Sequence, residues 1–250
     1  RFNETLEVLY KAWTEYDSFT YEGKEINIPN ETTVWPKPFT KPHPPMWVAG
    51  TSVETMELAA AWDMMPVTTG LLGEGGVKAH VASFVKAKKA IGKPYKNVDL
   101  GIQSMTCVTG TDEEAKLLLQ YPRWQMRAGR ALGTAKVTNG QVLPEPFEGE
   151  LDDAGMMARI FFGSPDTVRA KFAKAASLGA TYVSNWMMMG GMPHDKVMRS
   201  IKYMGEEIIP ALKDVNPPEE LYEELVGTPE VTSEQLRDMR NRGPAPSDVT

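Results

Sequence analysis

The residues with the clearest chemical potential are Gly50-Thr51-Ser52-Val53-Glu54-Thr55, which follow the apolar run Trp47-Val48-Ala49. A short strand that ends in Gly and two hydroxyl residues, with a helix starting at once, presents backbone N–H groups beside hydroxyl donors. The small residue lets a ligand come close. Such a turn suits an anion, a phosphate above all. The same residues also read as ordinary capping, with Thr51 or Ser52 as N-cap and Glu54 completing a capping box. Local sequence leaves the two readings level.

A second set lies on the run Val98–Val108, where Gly101, Gln103, Met105 and Cys107 share one face by the two-residue period of a strand. The histidines are few. His80 falls on an amphipathic helix and reads as structural, His43 belongs to a proline-rich connector, and His194 opens a helix after a Gly-Gly turn. No two have the spacing of metal ligands, so no metal site is expected, and no Ser/His/Asp arrangement can be built from them. The single cysteine, Cys107, excludes an intrachain disulfide framework, fits a reducing compartment and reads as a packing residue.

The chain of 250 residues carries a net charge of -6, with 42% hydrophobic and 24% charged residues. That suits a globular protein of one large domain or two small ones. The negative charge argues against a nucleic-acid surface, and the Lys86, Lys88 and Lys89 cluster reads as the solvated face of a helix. No apolar run approaches the length of a membrane span and no signal peptide is seen, so the expectation is a cytoplasmic protein without a membrane partner.

Elements that would position these residues follow from periodicity. Phe2, Leu6, Leu9 and Trp13 have helical spacing, and a helix already under way at Arg1 without an N-cap suggests a cut inside a longer domain. Pro36 to Pro45 reads as an extended connector. Strands are expected at Met46–Ala49, Met64–Thr68, Val98–Val108 and Tyr182–Met187, with helices at Val53–Trp62, Val77–Ile91, from Thr111, from Ser164-Pro165-Asp166 to Leu178-Gly179, and at His194–Leu212. Residues 133–158 read as a long loop, and 214–250 as a polar tail with one short helix near Glu219–Val226. Strands alternating with helices make an α/β protein with a parallel sheet. Four strands permit either an open doubly wound sheet or half of an eight-stranded barrel. The missing Gly-x-Gly-x-x-Gly turn counts against a dinucleotide-binding sheet.

Four segments, in order, resemble the bacterial-luciferase-like flavin-dependent monooxygenases. Arg1-Phe2 through Trp13 with Phe19–Gly23 resembles that family's helix and following turn. Pro36-Lys37-Pro38 through Pro42-His43-Pro44-Pro45-Met46-Trp47 resembles its approach to a barrel strand. Gly50-Thr51-Ser52 with Ala59-Ala60 resembles the turn that holds the FMN phosphate. Phe162-Gly163-Ser164-Pro165 through Gly179, and Gly190-Gly191-Met192-Pro193-His194 through Ser200 and Ile209-Pro210, resemble the closing segment. Together they cover residues 1–213.

The resemblance implies a (β/α)8 TIM barrel of which this chain holds the last four strands or so, with a lid at about 133–158. It implies reduced FMN as cofactor, supplied by a separate flavin reductase, and O2 and a small organic molecule as substrates. Gly50, Thr51, Ser52 and Thr55 become phosphate-turn positions, and Thr68 and Thr69 end a strand where relatives touch the flavin, their plainer role being turn capping. Gln103, Met105 and Met187 become pocket positions, although at least two of Met187, Met188 and Met189 are expected in the core. Sulfonate-oxidising relatives carry Arg and His where this strand has Gln103 and Met105, which implies a neutral substrate. No catalytic base is assigned, since the family's base comes from earlier strands. An oligomer of identical chains is expected. Two rivals stay open: an oxidoreductase using the deazaflavin F420, and a flavin-binding relative without turnover.

Overall fold

The computed structural model describes residues 1–134 and 136–236, and divides into two compact units, Arg1–Met46 and Trp47 onward. The first unit holds helix α1 (Phe2–Thr14) and an antiparallel hairpin of β1 (Phe19–Glu22) and β2 (Asn27–Thr32). The Glu4 carboxylate accepts the amides of Lys24, Glu25 and Ile26 at 3.1, 2.9 and 2.8 Å, and so ties the hairpin turn to α1. Residues 33–46 contain no regular element, as their prolines predict.

In the second unit, β3 (Trp47–Ala49), β4 (Met65–Thr69), β5 (Gly101–Val108) and β9 (Tyr182–Trp186) form one parallel sheet, each strand beside the next. Helix α2 (Val53–Ala61) connects β3 to β4, and α3 (Gly73–Ala90) connects β4 to β5. Strand β5 is long enough for two partners. Residues 101–105 pair with β9, and 106–108 pair with a three-residue strand, β8 (Phe161–Gly163).

Register decides which side chains meet. Val48, Pro66, Thr68, Ile102, Ser104 and Thr106 point to the helical side and are buried. On the opposite face Thr69, Gln103 and Ser184 lie in one row and Met105 and Trp186 in the next. This face stays open: Trp47 is 56% exposed, Tyr182 46% and Trp186 37%. The Trp47 and Tyr182 rings lie 5.7 Å apart although two strands separate them. Strands are spaced by about 4.8 Å, so an approach this close over three spacings fits a sheet that curls toward this face and makes it concave. Among the described residues β3 and β9 each pair with one neighbour, so the curl does not close.

Between β5 and β9 the chain builds α4 (Asp112–Leu117), α5 (Gln120–Gly133), the two-residue strands β6 (Val137–Thr138) and β7 (Gln141–Val142), α6 (Asp153–Arg159), β8 and α7 (Pro165–Ser177). Thr111 caps α4 as its sequence predicts, accepting the Glu114 amide at 3.2 Å, while the Glu114 carboxylate takes the Gly110 amide rather than that of the cap. The segment 133–158 is therefore not structureless. It holds a hairpin and the first turns of α6, which Asp152 caps by accepting the Gly155 amide at 2.7 Å. Residues 194–212 form α8 (His194–Tyr203), a π turn at Met204–Ile208 and the short α9 (Ile209–Leu212), not one continuous helix.

The polar stretch after 213 packs in part. Helix α10 (Leu221–Gly227) lies against α3 with Leu221, Tyr222 and Leu225 buried, and Leu236 further on is buried too. Residues 237–250 of that expected tail lie outside the described residues.

Candidate functional site

The turn after β3 is built tightly. Ser52 is the N-cap of α2, in extended conformation, and its hydroxyl accepts the Thr55 amide at 3.2 Å. The Ser52 and Thr55 hydroxyls also share a bond of 3.1 Å. A Cβ on Gly50 would come within 2.5 Å of the Thr55 methyl, so glycine is what lets the Thr55 side chain fold over the turn. With Ser52 as cap, Glu54 stands one residue short of the capping-box position. Its carboxylate instead accepts the hydroxyl of Ser233, which in turn accepts the Val53 amide at 3.0 Å. An acceptor thus already sits on the first amide of α2, where the helix end favours negative charge.

Thr69 ends β4 and caps the turn that follows it. Its hydroxyl accepts the Leu71 amide at 3.3 Å and caps a single 3₁₀ turn, Gly70–Leu72. Thr68 points the other way, into the helical layer, where its hydroxyl lies 2.7 Å from His80 Nδ1. His80 is fully buried, and its Nε2 lies 3.4 Å from the Ser52 carbonyl oxygen. Burial lowers His80 from 6.5 to about 4, so the ring is neutral near pH 7.

Beside Leu71 just past β4, Met105 within β5 and Trp186 at the end of β9 lies a cleft of about 750 Å³. Leu71, Met105, Met126, Phe147, Leu151 and Trp186 give it apolar walls, and Gln125, Arg130 and Glu148 are its side chains with strong polar groups. Helix α5 is held above the sheet by the Gly190-Gly191 turn. Gly190 has φ +56° and donates its amide to Gln125 at 3.2 Å; a Cβ there would lie 2.1 Å from the Tyr121 carbonyl oxygen.

Three arginines stand on α5. Arg127 binds both Glu150 oxygens at 2.8 and 2.9 Å, and Arg123 reaches Glu150, Asp153 and the Leu151 carbonyl. Burial works against the Glu150 charge, but the two guanidiniums outweigh it and hold the carboxyl below its usual range. Arg130 stacks over Phe147, 4.6 Å from the ring centre, with Glu148 on the same cleft wall.

Of the pocket positions expected from sequence, Met105 lines the cleft. Gln103 is exposed on the concave face, one row below it and beside Thr69 and Ser184. Met187 packs half-buried against the core and Met189 is buried, while Met188 is 71% exposed. Sequence reasoning missed Trp186, although the two-residue period from Tyr182 through Ser184 points to it. It also missed Phe147, Gln125 and Ser233, whose approach depends on distant chain segments. Among the described residues no group of three or more His, Cys, Asp or Glu side chains could hold a metal ion, and no helix is long and apolar enough to cross a membrane.

The turn and the cleft both stand at the carboxyl ends of parallel strands, where α/β folds place their ligands. The model of the luciferase-like monooxygenase family matches residues 1–182, and the chain belongs to this family. It is 23% identical over 225 residues to the FMNH2-dependent dimethylsulfone monooxygenase of Pseudomonas putida, spanning 86% of this chain and 58% of that protein. Among solved structures it resembles the oxygenating constituent of 3,6-diketocamphane monooxygenase from Pseudomonas putida, in complex with FMN. There the TM-score is 0.62 at 22% identity, covering 86% of this chain and 63% of that one. It also resembles an F420-dependent secondary alcohol dehydrogenase, with TM-score 0.63, 14% identity and coverage of 84% and 61%. The chain thus spans about three-fifths of the length of these relatives.

Proposed function

We propose that this chain is the C-terminal part of a monooxygenase that uses reduced FMN and O2 to oxygenate a small, neutral organic molecule. The observation that carries the reading is the glycine-hydroxyl turn after β3, set in the same row of strand ends as an apolar cleft. Gly50, with the hydroxyls of Thr51, Ser52 and Thr55, fits a phosphate: glycine lets the Thr55 hydroxyl fold over the turn, and the hydroxyl donors and the start of α2 favour an anion. Bound there, reduced FMN would supply two electrons and two protons, so that one oxygen atom of O2 enters the substrate and the other leaves as water. The protein's part is to orient the reactants and exclude water. Residues 133–158 would act as the lid, anchored at their far end by Arg123 and Arg127 on Glu150.

The concave, uncovered sheet supports the larger architecture, in which β3, β4, β5 and β9 are the last four strands of a (β/α)8 barrel. Earlier strands would then supply the catalytic base and much of the flavin-ring pocket, and the chain alone would be inactive. A separate flavin reductase, a homo-oligomeric state and a cytoplasmic location complete the proposal. Neutral substrates are favoured because Arg123 and Arg127 are saturated by carboxylates, and Arg130 shares its wall with Glu148. A buried anion without a partner would be costly.

F420 stays as the second reading because two structural relatives depend on it. Anaerobic titration of the protein with reduced FMN and with reduced F420, followed by absorbance, separates the two. Reduced FMN should bind and, with air, yield oxygenated product; hydride transfer from F420 without O2 would replace this reading. Flavin oxidation without product would point to a non-catalytic binder. A paired assay of a medium-chain sulfonate and a neutral analogue should favour the neutral compound, and faster sulfonate turnover would refute that part.

A further inference from the structure

We infer that His80 is a positioning residue for the turn after β3: it touches no ligand, but it aims the Val53 amide outward. The inference rests on the proposed function only where the acceptor is a phosphate. A carbonyl oxygen can only accept, so the contact from His80 Nε2 to the Ser52 oxygen, 3.4 Å, places the proton on Nε2. In the neutral ring Nδ1 is then an acceptor, and Thr68 must donate its hydroxyl across 2.7 Å. The tautomer is therefore fixed by its partners. The chain of bonds runs from β4 through α3 to the turn, inside a layer where His80 is fully buried.

The consequence lies in the peptide plane. In a trans peptide the carbonyl of one residue and the N–H of the next point in opposite directions. Holding the Ser52 carbonyl toward His80 therefore turns the Val53 N–H away from it. That amide already meets an acceptor, the Ser233 hydroxyl at 3.0 Å. The direction of the first α2 amide is thus set from behind by a side chain 28 residues on from Ser52. The remaining control on this plane is the first intrahelical bond, Met56 N–H to the same Ser52 oxygen, which is long at 3.4 Å.

The test compares wild type with His80→Leu, which cannot donate, and His80→Gln, whose terminal amide can replace Nε2–H. In the ligand-free protein, exchange of the Val53 amide hydrogen should be about tenfold faster in His80→Leu, the scale of one lost hydrogen bond, and recover in His80→Gln. Long-range proton–nitrogen correlation on the wild type should show the proton on Nε2. If His80→Leu does not fold, Thr68→Val removes the donor to Nδ1 more gently and should raise Val53 exchange by a smaller factor. FMN affinity should fall about tenfold in His80→Leu while riboflavin affinity stays within twofold. Unchanged Val53 exchange, or a proton on Nδ1, overturns the inference. Faster exchange with an unchanged FMN-to-riboflavin ratio upholds it and removes the phosphate from the turn.

Discussion

The Ser52 hydroxyl accepts one amide, Thr55, and His80 takes hold of the Ser52 carbonyl, so this residue is restrained on both of its polar sides. Its role as a cap was legible, because Ser is among the residues preferred just before a helix, although Thr51 read as an equal candidate. The reach of His80 was not, since a histidine on an amphipathic helix carries no sign of which turn lies beneath it. Neutral burial has a thermodynamic signature. His80 binds its proton at about 4 in the folded protein against 6.5 for the free group. Between those values the unfolded chain takes up a proton that the folded chain refuses, so stability falls as pH drops through that window and levels off below it. The slope approaches about 1.4 kcal/mol per pH unit at most. Denaturant midpoints across the window should therefore separate wild type from His80→Gln, the wild type losing more on acidification. A difference that does not change with pH would mean the ring is protonated in place.

At the scale of elements, the sequence showed the strands and helices whose period is sustained, and β3 and α10 besides, but hid other short ones. Strand β8 is only Phe161–Gly163, too brief to display alternation, and α6 follows a stretch of Gly, Pro and acidic residues that resembles a loop. Tertiary contacts hold both. The Lys171 ammonium on α7 donates to the carbonyls of Met157, Ile160 and Phe162 at 2.7, 2.9 and 2.8 Å, joining α6, β8 and α7 through one side chain. Burial lowers Lys171 to about 8, yet its three protons have three acceptors. Lys171→Met should leave those carbonyls unpaired and cost about 2–4 kcal/mol in urea unfolding. Protease cleavage between 143 and 159 should speed up with it. An unchanged midpoint would show that the carbonyls find other partners.

For the molecule as a whole, the open concave face is the feature that needs explaining. Trp47, Tyr182 and Trp186 are large apolar groups on one sheet surface, and exposed patches of that kind mark a surface made to be covered. The periodicity that predicted a parallel sheet could not tell half a barrel from an open sheet; the approach of Trp47 to Tyr182 fits the first, and among the described residues the sheet does not close. We expect residues 1–250 expressed alone to associate through this face and through the unpaired edges of β3 and β9. Sedimentation should show species larger than a monomer, and a monomer with one sharp unfolding transition would show that the face needs no cover. The central claim, that the turn after β3 grips the phosphate of a flavin, is tested most directly by a ratio of affinities. Ser52→Ala in the FMN-binding protein removes one hydroxyl from the turn and also a helix cap, so absolute affinity alone would mix the two effects. Comparing FMN with riboflavin, which lacks the phosphate, cancels the cap. FMN should lose about 1–2 kcal/mol of binding relative to riboflavin, the worth of one hydrogen bond to a charged group. Equal losses for the two ligands would mean that Ser52 caps a helix and holds no phosphate.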